Sequence, residues 1–167
     1  MKRIVSGILL LALILSLVVV PKKVSYATAK VIVDRVVDGD TFVYYAGSEQ
    51  IRVRMIGVDT PESVHPDESR NTEWGKKISK WVKKKLTGKK VKLEYDEDRY
   101  DQYGRVLAYV YLGRKMFQKK LLKKGYARAV YYAPNGKYKE EFFELQTWAM
   151  NHNKGFWRDG YEAAFPS

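Results

Sequence analysis

The sequence contains no cysteine and only two histidines, His65 and His152, in 167 residues. The absence of cysteine excludes a disulfide framework, a zinc ribbon and a thiol nucleophile. Two histidines are too few for a histidine-rich metal site. Any chemistry performed by this chain must therefore rest on carboxylates, arginine, lysine and hydroxyl groups.

Acidic residues are also scarce, with 19 Asp and Glu against 31 Lys and Arg and a net charge of +12. Hydrophobic residues make up 46% of the chain, which excludes a disordered protein and suits one compact domain. A basic surface attracts nucleic acid, anionic cell wall or membrane surfaces. Charge alone does not choose among these partners, and a solvated basic face is the commoner interpretation.

Long apolar runs are absent except at the N-terminus, where Ile4–Val20 follows the cationic Met1-Lys2-Arg3. Together with the small residues of Ala27-Thr28-Ala29, this pattern predicts a secretory signal peptide over residues 1–29. The apolar run is also long enough for a spanning helix, so an uncleaved membrane anchor is the alternative. In either case we expect the folded domain, residues 30–167, to lie outside the cytoplasm.

The hydrophobic pattern of the domain alternates between strand and helix periods. Predicted strands are Lys30–Val37, Thr41–Tyr45, Gln50–Ile56, Lys89–Tyr95 and Arg105–Leu112. Predicted helices run from Asn71-Thr72-Glu73 to Gly88, over Met116–Lys124, and through Tyr138, Phe142, Leu145 and Ala149, with a loop at Gly57–Arg70. The predicted fold class is α+β, an OB-fold-like β-barrel of five strands with three helices packed on it.

Two acidic motifs lie at predicted strand ends. Asp40 closes the Asp38-Gly39-Asp40 turn before the second strand, and Asp59 follows the third strand. Because these ends are neighbours in an antiparallel pair, we expect Asp40 and Asp59 to meet in space. Two carboxylates with carbonyl and water oxygens suit a hard cation such as Ca²⁺ or Mg²⁺. Either motif alone is more often an ordinary turn or helix start.

Two arginines and one glutamate complete the pattern. Arg54 is on the same predicted strand that leads to Asp59, and Arg105 opens the fifth strand. Guanidinium groups pair with phosphate oxygens and stabilise charge that develops on phosphorus. Glu62 follows Asp59 closely, a suitable position for orienting or deprotonating an attacking water. Each arginine alone is more often a solvated surface residue.

Three motifs in this order resemble the staphylococcal nuclease (thermonuclease) family. They are Val36-Val37-Asp38-Gly39-Asp40-Thr41, then Arg54 with Val58-Asp59-Thr60-Pro61-Glu62, and Asp101-Gln102-Tyr103-Gly104-Arg105-Val106-Leu107-Ala108-Tyr109. The resemblance covers about Lys30 to Trp157. It implies an OB-like barrel and a secreted, Ca²⁺-dependent endonuclease that hydrolyses DNA and RNA, leaving 3′-phosphate and 5′-hydroxyl ends.

The resemblance also implies roles for individual residues. Asp40, Asp59 and the Thr60 carbonyl would bind Ca²⁺, and Glu62 would act as general base or orient water. Arg54 and Arg105 would be the catalytic pair that binds phosphate. The remaining implied positions are Asp38, an acid beside the metal ligands, and Tyr103, Tyr131 and Tyr132, which would contact the nucleotide. Because the chain is one residue shorter at Tyr131-Tyr132, the role of each of these two tyrosines stays open, and Gln102 replaces a frequent lysine.

The implied partners are DNA and RNA substrates, with no protein partner and a monomeric chain. Membrane contact is expected only if the leader is uncleaved. The alternative function is a non-catalytic nucleic-acid-binding OB-fold module tethered at the cell surface. That module would be expected to lack part of the acid and arginine set, whereas Asp40, Asp59, Glu62, Arg54 and Arg105 are all present.

Overall fold

A computed structural model describes residues 27–166 of the chain. The predicted leader therefore lies outside the described residues except for Ala27-Thr28-Ala29. None of the helices within residues 27–166 has both the length and the apolar character needed to cross a membrane.

The described chain forms short strands and three α-helices. The strands are β1 Thr28–Ile32, β2 Arg35–Val36, β3 Thr41–Ala46, β4 Glu49–Met55, β5 Val58–Asp59, β6 Lys90–Glu94, β7 Val106–Leu112, β8 Lys115–Met116 and β9 Arg128–Ala129. The helices are α1 Glu73–Leu86, α2 Phe117–Lys123 and α3 Lys139–Asn151, with short 3-10 helices at Glu68–Arg70 and Gly155–Arg158.

The main sheet follows the order β1-β6-β7-β4-β3-β2, and β8 pairs with the C-terminal end of β7. Its pairs are antiparallel except β4 with β7, which is parallel. The hydrogen-bonded path is not closed, but its two ends are successive segments of one stretch of chain. The fold is thus α+β and OB-fold-like with three α-helices, as predicted, but the sheet has more than the five predicted strands and is not closed into a barrel.

The prediction of one strand over Lys30–Val37 is wrong. The amide of Val33 donates to the Lys89 carbonyl at 3.0 Å, whereas the amide of Asp34 donates to Val43 at 2.8 Å. The chain therefore changes partners at this corner, from β6 before it to β3 after it. The change of partner splits the stretch into β1 and β2.

The first strand begins before the predicted end of the leader. Thr28 pairs with Glu94, and Ala29 pairs with Leu93, within β1. These two residues belong to the sheet in this structure. Cleavage after Ala29 stays a prediction.

The loop predicted over Gly57–Arg70 contains more structure than expected. It includes β5, which pairs with β9 in a separate two-stranded sheet, and the 3-10 helix at Glu68–Arg70. A strand of two residues shows no periodicity in sequence, and this explains why it was not predicted. The pairing of β5 with β9 positions Asp59 opposite Arg128.

The core lies between the curved sheet and the helices. Helix α1 buries Ile78, Val82 and Leu86 while its lysines face outward, as helical periodicity predicts. Its N-terminus is capped by the Thr72 hydroxyl, which accepts from the Gly75 amide at 3.0 Å. The cap fixes where α1 starts, and this start lies directly against the chain segment that carries Glu62.

Candidate active site

The Asp38-Gly39-Asp40 turn folds around the Asp38 carboxylate. Asp38 Oδ1 accepts from the amides of Asp40 at 3.0 Å and Thr41 at 2.8 Å. A Cβ atom at Gly39 would lie 2.5 Å from the Thr60 hydroxyl oxygen, so only glycine lets the turn approach Thr60 this closely. The turn therefore packs directly against Thr60, the residue that follows β5.

Asp40 binds the segment that follows Asp59. Its Oδ2 accepts from the Thr60 amide at 2.9 Å and the Thr60 hydroxyl at 3.0 Å, and its Oδ1 accepts from the Thr41 hydroxyl at 3.0 Å. Asp40 is only 4% exposed. The predicted meeting of the two acidic motifs is thus present in the structure, through Thr60.

Arg54 bridges the two aspartates. Its Nη1 lies 3.1 Å from Asp40 Oδ2, and its Nη2 lies 3.0 Å from Asp59 Oδ1. Nη1 also donates to the carbonyls of Val58 at 2.8 Å and Met55 at 3.1 Å. Although burial lowers the pKa of Arg54, the charges of Asp40 and Asp59 raise it above its ordinary value. The guanidinium is therefore a fixed positive charge between two carboxylates.

A second arginine, Arg128, pairs with the other oxygen of Asp59. Arg128 Nε and Nη2 lie 2.9 Å and 2.7 Å from Asp59 Oδ2. Arg128 also donates to the Tyr161 hydroxyl, and its guanidinium lies 4.3 Å from the ring centroid of Phe165. Arg128 is not among the site residues predicted from the sequence, where its one signal is that it is the single charged residue between Tyr126 and Tyr132.

Glu62 is held by the start of α1. The Thr72 amide donates to the Glu62 carbonyl at 3.0 Å. A Cβ atom at Gly75 would lie 1.8 Å from the same carbonyl oxygen, so the helix packs against Glu62 only because residue 75 has no side chain. The packing fixes the backbone that aims Glu62 toward the acidic motifs.

The side chains of Asp38, Asp40, Arg54, Asp59 and Glu62 line one cavity of about 350 Å³, and Arg128 lies outside this lining. Burial, followed by the charge of Asp40, raises the pKa of Asp38 to about 7. Burial, followed by the charges of Asp40 and Asp59, also raises the pKa of Glu62. The acids in this cavity therefore crowd one another. The lining includes the predicted site residues Asp38, Asp40, Arg54, Asp59, Thr60, Glu62 and Arg105.

Arg105 enters the cavity from the start of β7 and is oriented by Asp101. Arg105 Nε donates to Asp101 Oδ2 at 2.6 Å, and the Arg105 amide donates to Asp101 Oδ1 at 2.9 Å. Within residues 27–166, no hydrogen bond involves the two Nη groups of Arg105. Asp101 thus holds the Nε edge of the Arg105 guanidinium, and the two Nη groups remain without a hydrogen-bond partner in the described chain.

A larger groove of about 590 Å³ adjoins this cavity, and both are lined by Arg54 and Arg105. Its wall includes Tyr103 and Tyr132, which are 75% and 71% exposed. The two predicted tyrosines at 131 and 132 have different surroundings. Tyr132 lines the groove, whereas the Lys139 Nζ lies 4.5 Å from the Tyr131 ring centroid, outside the groove lining.

The chain is similar to known proteins over most of its length. The family model described as staphylococcal nuclease homologue matches residues 52–159. The chain is 48% identical to a thermonuclease of Staphylococcus hyicus over 130 residues, covering 78% of this chain and 75% of that protein. It is 41% identical to a thermonuclease of Staphylococcus intermedius over 167 residues, covering 94% of this chain and 99% of that protein. Endonuclease YncB of Bacillus subtilis is 40% identical over 134 residues, covering 78% of this chain and 63% of that protein.

The family model matches more than half of the chain, and both thermonucleases are similar over most of it. The chain therefore belongs to the staphylococcal nuclease family. The match begins within β4 and extends past α3, so it includes Arg54, Asp59, Glu62 and Arg105.

Proposed function

We propose that this protein is a secreted, calcium-dependent nuclease that hydrolyses the phosphodiester bonds of DNA and RNA and leaves 3′-phosphate and 5′-hydroxyl ends. The observation that carries the proposal is the Arg54 guanidinium, which bridges Asp40 and Asp59 in a cavity shared with Glu62 and Arg105. The similarity to proteins named thermonuclease supports the same activity.

The donor set fits a hard divalent cation. Asp40, Asp59 and the Thr60 carbonyl would hold it, and all of these donors are oxygens, as Ca²⁺ requires. Burial, followed by the charges of neighbouring aspartates, raises the pKa values of Asp38 and Glu62, and a bound cation would offset the repulsion among these carboxylates. No cluster of three or more His, Asp or Glu side chains suited to a metal occurs within residues 27–166, so water would complete the coordination. When bound, calcium would polarise a phosphoryl oxygen.

Glu62 would orient or deprotonate the attacking water. Its pKa is raised by burial and by the neighbouring aspartates, which moves the carboxylate toward the basicity that proton transfer near neutral pH requires. Its backbone is fixed by Thr72 and Gly75 at the start of α1. The carboxylate therefore stands on a segment that is fixed against the start of a helix, which limits its misplacement.

Arg54 and Arg105 would bind the phosphate oxygens from two sides. Within residues 27–166 the hydrogen bonds and ion pairs of the Arg54 guanidinium use Nη1 and Nη2, so its Nε has no protein partner and would donate to a phosphate oxygen. The Nη edge of Arg105 faces the same cavity. Both groups stay charged at any working pH, and their attraction grows as negative charge develops on the phosphoryl oxygens.

Tyr103 and Tyr132 would hold the nucleotide next to the scissile phosphate. Both are exposed on the groove that adjoins the catalytic cavity. An aromatic ring stacks on any base, so these contacts predict broad sequence tolerance. Tyr131 would support this wall through its packing near Lys139, without stacking on the base in the groove.

The test is cleavage of labelled DNA and RNA with calcium or with a chelator, followed by chemical identification of the new ends. We expect cleavage only with calcium. We expect Arg105→Ala to lower kcat by about 10²–10³-fold, the usual cost of one donor to a developing oxyanion. The matched control is Arg114→Ala, an exposed arginine between β7 and β8. Full activity in the chelator, or equal rates for the two variants, would contradict the proposal.

A further inference from the structure

Helix α1 presents a row of lysines to a groove beside the catalytic cavity. Lys76, Lys80 and Lys83 are separated by four and three residues, so they share one face of the helix. They line a groove of about 270 Å³ together with Ser63, Ser79 and Val64. Val64 also lines the catalytic cavity, so the groove continues from it.

The row carries positive charge that the rest of the described chain does not neutralise. Glu73 pairs with Lys76 at 2.7 Å, but both side chains are largely exposed, so this pair contributes little. Lys80 and Lys83 are exposed, and no carboxylate of residues 27–166 forms an ion pair with either. At least two unpaired ammonium groups therefore face the groove.

Other lysines on α1, on α2 and just after α2 have a different environment. Lys77 Nζ lies 4.2 Å from the Trp74 ring centroid, and Lys120 and Lys124 lie 5.5 Å and 5.7 Å from Trp81. Packing over aromatic rings accounts for those three side chains. No aromatic contact of this kind involves Lys80 or Lys83 within the described chain.

We propose that Lys76, Lys80 and Lys83 form a binding site for the phosphate backbone of the strand that flanks the scissile phosphate. This inference rests on the proposed function, because the flanking strand must continue from a phosphate held at Arg54 and Arg105. The row extends about 10 Å along the helix, at about 1.5 Å per residue, which is the length of two to three nucleotides. Flexible ammonium groups suit contacts that attract phosphates without reading bases.

The test compares two variants of equal net charge in the full chain. Lys80→Gln with Lys83→Gln removes two groups from the groove. Lys84→Gln with Lys89→Gln removes two exposed lysines that do not line it. Thermal unfolding checks that both variants remain folded. Binding of a long single-stranded oligonucleotide is measured by fluorescence anisotropy in a chelator, over a series of salt concentrations.

We expect the groove variant to bind about tenfold or more weakly at low salt, and its log K against log salt slope to fall by about 1.4, or about 0.7 for each lost contact. The control variant should lose much less of this slope. With calcium, the ratio of kcat/KM for the long strand to that for a dinucleotide should fall in the groove variant and stay unchanged in the control.

Equal losses in both variants would overturn the proposal, because they would show only a general charge effect. A groove variant that binds the oligonucleotide normally but loses affinity for anionic lipid vesicles would also overturn it, in favour of a membrane surface. Failure of the proposed activity is distinguishable. In that case neither substrate would be cleaved by the wild type, whereas the anisotropy difference between the variants would persist.

Discussion

Two clusters of buried and half-buried acids occupy this small fold, and they differ in their partners. At the candidate active site, Asp38 and Glu62 lie near other carboxylates, and burial with those charges raises their pKa values. On β6, burial opposes ionisation of Glu94, but hydrogen bonds from Lys137, Tyr138 and Tyr111 hold its pKa below the ordinary value.

The difference lies in what surrounds the charge of each acid. Glu94 receives two tyrosine hydroxyls at 3.0 Å each, and Lys137 supplies the countercharge. The neighbouring Asp96 accepts from the Tyr109 hydroxyl at 2.7 Å. Hydrogen bonds and a countercharge favour the ionised form of Glu94, whereas burial and neighbouring carboxylates disfavour the ionised forms of Asp38 and Glu62.

Arg54 is the residue whose loss should distinguish the two clusters most strongly. We expect Arg54→Gln to lower kcat by about 10³-fold, because a fixed cation beside the phosphoryl group is lost. It also leaves Asp40 buried without its ion-pair partner, so the free energy of unfolding in a chelator should fall by about 3 kcal/mol. Steady-state cleavage rates and urea denaturation measure the two effects.

The control for Arg54 is Arg35→Gln, since Arg35 is exposed on β2 and its side chain makes a single hydrogen bond within residues 27–166, to Gln50 at 3.4 Å. We expect both measurements on this variant to match the wild type. If Arg54→Gln cleaved DNA as fast as Arg35→Gln, the phosphate-binding role of Arg54 would be wrong.

Gly75 tests whether Glu62 depends on the start of α1. An added Cβ would lie 1.8 Å from the Glu62 carbonyl oxygen, so Gly75→Ala must displace one of the two segments. A displacement of about 1 Å at a catalytic group costs about 10²-fold in rate. We expect kcat to fall by about that factor while the circular dichroism spectrum is retained.

Gly88→Ala is the comparison for Gly75, because no atom lies within 4 Å of an added Cβ there, although φ is +71°. That variant should lose stability through backbone strain and keep its rate when folded. Equal rates for the two glycine variants at a temperature where both are folded would show that α1 does not position Glu62.

Much of the site could be predicted from sequence because its residues lie close to strand ends. Asp40 and Asp59 flank an antiparallel strand pair, so pairing alone brings their segments together. Because successive side chains of a strand point to opposite faces, Arg54 points away from the face of β4 on which Met55 is buried, with Met55 only 2% exposed.

The parts that could not be predicted depend on long-range packing without local periodicity. Arg128 is 69 residues from Asp59 and meets it through strands of two residues each. The corner at Val33 and Asp34 has strand-like composition, so only the change of pairing partner reveals it. The separation of Tyr131 from Tyr132 likewise depends on how the chain after β9 packs.

Glu94 provides the converse test, because its loss should affect folding and not catalysis. Hydrogen bonds to charged groups contribute about 1.5–3 kcal/mol, so we expect Glu94→Gln to lower the free energy of unfolding by about 2 kcal/mol. The kcat of the folded variant should equal that of the wild type. Glu97→Gln is the control, since Glu97 is exposed on the following segment. A large fall in kcat for Glu94→Gln would show that the two clusters are coupled.

The free energy of unfolding should also depend on pH through Glu94, and this effect is expected to be smaller than that of Glu94→Gln at neutral pH. The pKa of Glu94 is lower in the folded state than its ordinary value of 4.5, so the folded protein binds fewer protons there than the unfolded chain does. The stabilising contribution is therefore complete above the unfolded pKa and is lost as the pH falls through the folded pKa.

Urea denaturation of the wild type and of Glu94→Gln measures this difference. The series starts at pH 6, roughly 1.5 units above the ordinary pKa of a glutamate, and continues downward. We expect the two stability curves to converge as the pH falls, because the variant has no proton to gain at this position. Curves that stay parallel would assign the acid sensitivity to other carboxylates.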